Sequence, residues 1–246
     1  YNISIVEIFN LGPLKMKILF FQKFFLFFLF FCFFSGCATV NNNVEHDPRD
    51  PWEKTNRVIF NFNEKVDRNF LKPIAEGYEK VVPSFVRYGV SNFFMNLGDL
   101  LTAVQHFLQL DFKNSGESAS RFVINSTIGV LGISDVASKF GFTKTIEDSG
   151  QTLGTFGINQ GPYVVLPFFG PSSVRDGFGK AIDYMVDPFN SIVKDEEMRT
   201  AGNLLRVVDT RSQYLSAEQA FAALAFDKYV GIRNAYLAIR KTQVED

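Results

Sequence analysis

From position 50 onward, polar and apolar residues recur with the period of a helix rather than a strand. Val58, Ile59, Phe62, Val66 and Phe70 fall at helical spacing, with Asn56, Arg57, Lys65 and Asp67 between them. Asp50-Pro51 ahead of Trp52-Glu53 reads as an N-cap followed by proline at the first helical position. Pro73 ends or kinks that helix, because proline has no N–H to donate. A second helical stretch, PSFVRYGVSNFFMNL, opens at Pro83 and Ser84. A third, DLLTAVQHFLQL, puts Leu100, Leu101, Val104, Phe107 and Leu108 on one face and His106 on the other. Residues 116–140 continue the helical period but contain Gly129 and Gly132, which weaken a helix and point to a hinge or close packing.

The period is lost over residues 141–179, which are rich in glycine and proline and predict short helices and ordered loops. Pro167 interrupts the apolar run 163–169 and argues against a central strand there. Helix returns afterwards. A short apolar segment over 183–192 is broken at Pro188, and a longer helix covers 199–215. Ser216 reads as the N-cap of the last helix, with Gln219 in the capping-box position. Its stripe is Phe221, Leu224, Tyr229, Ile232, Tyr236 and Ile239, leaving Asp227, Arg233 and Arg240 off the stripe.

Before these helices stands MKILFFQKFFLFFLFFCFFSGC, beginning at Met16. The uninterrupted apolar core, 24–34, would rise about half of a ~30 Å hydrocarbon layer, which is short for a span. Lys15, Lys17 and Lys23 lead into it and Ser35-Gly36 follow it, the order of a secretory signal. Ser35-Gly36-Cys37 resembles the lipobox of bacterial lipoproteins, which departs from the usual pattern only at Phe34, where an aliphatic residue is common. That resemblance implies an acylated Cys37 as first mature residue, and several acyl chains make a stable anchor. Ala38 in place of aspartate implies an outer-membrane destination. Residues 1–15 contain no methionine and read as translated upstream sequence, with a real N-terminal extension as the alternative. The expected organisation is therefore upstream residues 1–15, signal 16–36, acylated terminus and polar tether 37–50, a helical domain 51–240 and a tail 241–246.

Composition narrows the chemistry. The 25 basic and 26 acidic residues nearly balance, so nothing marks a nucleic-acid partner. Two cysteines, both in or beside the apolar leader, give no disulfide framework, and two histidines argue against a histidine metal centre. His46 reads as a solvated tether residue. No zinc spacing, phosphate loop, dinucleotide turn or nucleophile elbow is present, and no cofactor is implied. Of the twenty-nine phenylalanines many sit in the opening stretch, and the rest continue the bias through amphipathic helices with no catalytic cargo. In one reading each apolar stripe packs into an ordinary core. In the other the body lies partly in a lipid interface. An envelope hydrolase and a structural tether stay open as competing functions.

DPWEKTNRVIFNFNEKVD, VRYGVSNFFMNL, RFVINSTIGVLGISDVA, YVGIRNAYL and above all GQTLGTFGINQGPYVVLPFFGPSSVRDGFG resemble the MlaA/VacJ family of outer-membrane lipoproteins. The resemblance runs over about 50–240. It implies an all-α, ring-like bundle of amphipathic helices, embedded in one membrane leaflet around a central channel. The implied task is non-enzymatic: removal of phospholipid from the outer leaflet, in association with a trimeric porin, and delivery to a periplasmic carrier of the MlaC type. Asn61 and Phe62 match a family segment at the channel rim. Gly129, Gly132, Gly154, Gly157 and Gly161 are expected in a mobile or closely packed channel wall, with simple turns as the alternative. Arg175, Asp176 and Arg233 are expected as structural ion partners, with headgroup contact as the alternative.

Overall fold

A computed structural model describes residues 47–217 and 227–245. The leader, Cys37, the tether through His46, and Gln219, Phe221 and Leu224 lie outside the described residues.

The first helix, α1 (Glu53–Val66), starts three residues after Asp50, and no side chain caps it. The expected cap is instead fully buried: the Asp50 carboxylate accepts from Asn56, Tyr229 and Arg233. A π-helical turn (Asp67–Leu71) joins α1 to α2 (Lys72–Val81). Pro73 lies in the first turn of α2, so the wider turn just before it accommodates the missing N–H and the ring. The two predicted helices after Pro83 are one, α3 (Ser84–Leu108), 25 residues long. Gly98, inside α3, does not break it.

α4 (Phe112–Thr127) returns along α3, capped by Asp111, which accepts from the Asn114 N–H at 3.1 Å. The chain then turns through Val130, Leu131 and Gly132, at φ of 53°, 56° and 86°. The first two are non-glycine residues in the left-handed region, a costly conformation. After a 3₁₀ turn (Ala137–Phe140) comes α5 (Ser149–Thr155), capped by Asp148.

Strands β1 (Tyr163–Leu166) and β2 (Gly170–Ser173) pair antiparallel, from Tyr163 opposite Ser173 to Leu166 opposite Gly170. The hairpin was not expected, since this block reads as short helices and loops, but the argument from Pro167 against a central strand holds for β1. It ends one residue before the proline, and a two-stranded hairpin has no central strand for a proline to disrupt. Then follow α6 (Val174–Val186), α7 (Pro188–Ile192), α8 (Glu196–Gln213) and α9 (Lys228–Glu245). Ser173, Asp187 and Asp195 cap α6, α7 and α8. Asp227, not Ser216, supplies the N-terminal acceptor of α9, taking the Tyr229 N–H at 2.9 Å.

Among the described residues the buried apolar cluster is small: Tyr163, Val165, Tyr229 and Leu237, flanked by Ile59, Phe60, Val230 and Tyr236. α1 and α9 meet the hairpin there. α5 and α6 approach so closely that a Cβ on Gly179 would lie 2.4 Å from the Gly150 nitrogen.

Candidate functional site

The helices are turned polar side inward. On α3, Asp99, Gln105 and His106 are buried, while Leu100, Val104, Phe107 and Leu108 of the apolar stripe are exposed. On α4 the buried residues are Ser118, Arg121 and Asn125, and on α8 they are Asp209 and Ser212. α9 buries Tyr229, Arg233, Leu237 and Arg240, so the two arginines placed off its stripe belong to its packed face. On α1, Val58, Phe62 and the following Phe70 are exposed rather than packed. Val81, Phe85, Leu110, Phe168 and Phe169 are 81%, 74%, 72%, 72% and 70% exposed. Each large apolar side chain left in water forgoes about 1.5–3 kcal/mol of burial. Exposure on this scale marks a surface meant for lipid or another protein.

The interior holds connected polar groups in place of a large apolar core. In one network Asp176 accepts from Arg175 Nε at 2.9 Å, Arg240 Nε at 3.0 Å and the Tyr236 hydroxyl at 2.6 Å. Arg240 also reaches both Asp148 oxygens, at 2.7 and 2.9 Å. Burial by itself would raise the Asp176 carboxyl, but the bonds from Arg240 and Tyr236 outweigh it and hold it well below the usual carboxylate range. A second network joins Arg233 to Asp47, Asp50 and Glu53 at 3.1, 3.1 and 3.5 Å. Beside it, burial and the charge of Asp50 push the Tyr163 phenol up to about 12. A third pairs Arg121 with Asp135 at 3.0 Å, and Lys144 with Asp99. There burial dominates and raises Asp99. A fourth links Gln105, Ser149, Thr152, Gln109 and Glu147 by bonds of 2.7–2.9 Å, and Ser149 also donates its hydroxyl to Asp183 at 2.6 Å. Among the described residues no group of His, Cys, Asp and Glu is placed to hold a metal ion, and no helix is long and apolar enough to cross a membrane.

This arrangement has known counterparts. The family model for the MlaA lipoprotein matches residues 48–243. The chain belongs to the MlaA family. Escherichia coli strain K12 has a relative named intermembrane phospholipid transport system lipoprotein MlaA, 33% identical over 208 residues, which span 82% of this chain and 80% of the relative. The Haemophilus influenzae protein of the same name is 28% identical, over 86% of each chain. An uncharacterized protein of Rickettsia bellii is 34% identical, over 80% of this chain and 77% of its own. A solved structure described by the words "Structural basis for maintenance of bacterial outer membrane lipid asymmetry" matches with TM-score 0.70 and 31% identity, covering 79% of this chain and 98% of that one.

In this MlaA-family chain the residues singled out by sequence fall into separate places. Asn61 and Phe62 sit on the exposed side of α1, and the Phe62 ring meets Phe168 edge-on at 5.3 Å. Gly129 and Gly132 form the turn after α4. A Cβ on Gly129 would strike the Ser134 carbonyl at 2.3 Å, and one on Gly132 the Asn96 side chain at 2.6 Å. Gly154 packs against Arg175 and Val244, each within 2.8 Å of the Cβ it lacks. Gly157 and Gly161 adopt φ of 85° and 70° in the loop leading to β1. Arg175 and Asp176 share one network and Arg233 holds another. Arg121, Asp148 and Asn63 were given no site role by sequence; Asp50 was read as a helix cap, and Asn56 and Arg240 only as polar positions off an apolar stripe. A signal for several of them exists: Asn56 and Asn63, Tyr229 and Tyr236, and Arg233 and Arg240 each recur seven positions apart, a polar seam on one helix face.

Proposed function

We propose that this chain is a lipid-anchored component of the outer membrane that takes mislocalised phospholipid from the outer leaflet and passes it toward the periplasm. The observation that carries the reading is the inverted polarity, with phenylalanines outside and bonded charges inside. A body of this kind suits the acyl region of one leaflet, where its exposed apolar faces replace lipid contacts. A headgroup crossing hydrocarbon is costly unless polar groups accompany it, and inward-facing polar helix faces supply that lining. The names of the Escherichia coli and Haemophilus influenzae relatives support the same task.

On this reading the helices surround a central channel, Asn61 and Phe62 stand at its rim, and the glycine turns belong to its wall. Cys37 carries the acyl groups. A trimeric porin holds the body in the membrane and an MlaC-type carrier receives the lipid. The work is transfer without covalent chemistry. The test is outer-leaflet phospholipid in a strain lacking the gene, complemented with the wild type or with Cys37→Ala. Phospholipid should accumulate outside in the deletion strain, clear with the wild type and clear less with Cys37→Ala. A deletion strain with normal asymmetry would overturn the proposal.

A further inference from the structure

The hairpin is held to α1 by two asparagine side chains, not by a third strand. Asn56 donates from Nδ2 to the Tyr163 carbonyl at 3.0 Å, and its Oδ1 accepts the Val165 N–H at 2.9 Å. Asn63 repeats the pattern three residues along: Nδ2 donates to the Leu166 carbonyl at 2.9 Å, and Oδ1 accepts the Phe168 N–H at 2.8 Å. The spacings match. Seven helical residues rise about 10.5 Å and return to nearly the same face. Three extended residues advance about 10 Å. Asn56 thus takes backbone groups that a neighbouring strand would take on the free edge of β1, and Asn63 takes those at the strand's end and in the turn beyond it.

The two ends of the clamp differ. Asn56 is buried, also donates to Asp50 at 2.8 Å and belongs to the folded interior. Asn63 is only half-buried and holds the tip, where Phe168 takes a left-handed φ of 66°. Phe168 and Phe169 project outward there, with Phe62 set edge-on to Phe168. A left-handed phenylalanine costs about 1–2 kcal/mol without support. The Asn63 carboxamide, bonded on both sides of Pro167, supplies that support.

We propose that Asn63 is a positioning residue for lipid passage: it fixes the Phe62–Phe168–Phe169 tip as a rigid aromatic contact for acyl chains beside α1. This rests on the transport reading above. The clamp and its use are tested separately. In the purified, lipidated full-length protein, amide exchange by mass spectrometry reads the tip. Asn63→Ala should lower protection of the tip peptide containing Phe168 at least tenfold while the α3 and α4 peptides stay unchanged. Asn63→Asp should lose protection at neutral pH, because a carboxylate cannot donate to the Leu166 carbonyl. It should regain protection, corrected for intrinsic rate, once acid protonates the introduced carboxyl. Unchanged tip exchange in Asn63→Ala, or no recovery in Asn63→Asp, would overturn the clamp.

In the deletion strain, Asn63→Ala at wild-type protein level should leave outer-leaflet phospholipid above that of the complemented strain, whereas Gln213→Ala should restore asymmetry. If Asn63→Ala loosens the tip yet restores asymmetry fully, the positioning role is wrong and the transport reading stands. If the deletion strain itself keeps normal asymmetry, the transport reading fails and takes the positioning role with it, while the exchange result still judges the clamp.

Discussion

Asp176→Ala removes the centre of the most connected buried network and tests whether bonded charges hold this interior together. The Asp176 and Arg240 side chains are 3% and 8% exposed, so water cannot replace the lost carboxylate without opening the structure. Arg240 would keep Asp148, but Arg175 would lose its carboxylate partner and the Tyr236 hydroxyl its acceptor. Removing one member of such a buried pair costs about 3–5 kcal/mol. For a chain of this size each kcal/mol moves Tm by about 2–4 °C, so the expected fall is about 6–20 °C. Circular dichroism during thermal unfolding in detergent measures it. Lys241→Ala on the same helix is the control. Its pair with Glu245 is 71% and 64% exposed, and its loss should shift Tm far less.

A pH arm follows from linkage. The folded-state Asp176 carboxyl is held below its unfolded value near 3.9, so its contribution is present above that pH and lost as pH falls toward the folded value. The wild type should therefore lose more stability below about pH 4 than Asp176→Ala does. Equal Tm shifts for Asp176→Ala and Lys241→Ala, or parallel acid curves, would refute the view that this network stabilises the fold.

Two further outcomes separate the interior from the surface. Gly132→Ala should destabilise by at least about 1–2 kcal/mol, since φ is 86° and the new Cβ would lie 2.6 Å from Asn96; an unchanged Tm with intact lipid asymmetry would show that neither geometry nor transport needs this glycine. Leu131→Ser and Phe169→Ser, in a Cys37→Ala background without acyl chains, should leave Tm within a degree or two yet weaken binding to phospholipid vesicles roughly tenfold or more each. Vesicle flotation reads this, and binding equal to the parent would count against a lipid-facing role for these tips.

Local sequence was enough for the helical period, though not for every boundary: two expected helices are the single α3, and α9 begins after Asp227 rather than at Ser216. That period, the stop before Pro188, the wider turn before Pro73 and the glycine turns at 129 and 132 all reflect steric and hydrogen-bonding rules acting within a few residues. The family resemblance was legible too, since the glycine- and proline-rich block 150–179 is a specific order of turns. Which face of each helix turns inward was not legible. Periodicity sets two faces apart but carries no sign, because the same stripe packs into a core in water and faces outward in lipid. The choice on α3, with Asp99, Gln105 and His106 inside and Phe107 outside, became visible only when partners from distant segments, Lys144, Ser149 and Thr145, stood beside them. The same holds for Asp50. Alone it resembles a helix cap, and its burial depends on Tyr229 and Arg233, some 180 residues away. Spacing along the chain determined the elements; the bonding of charges across the chain, which no local pattern encodes, decided that the polar faces form the interior.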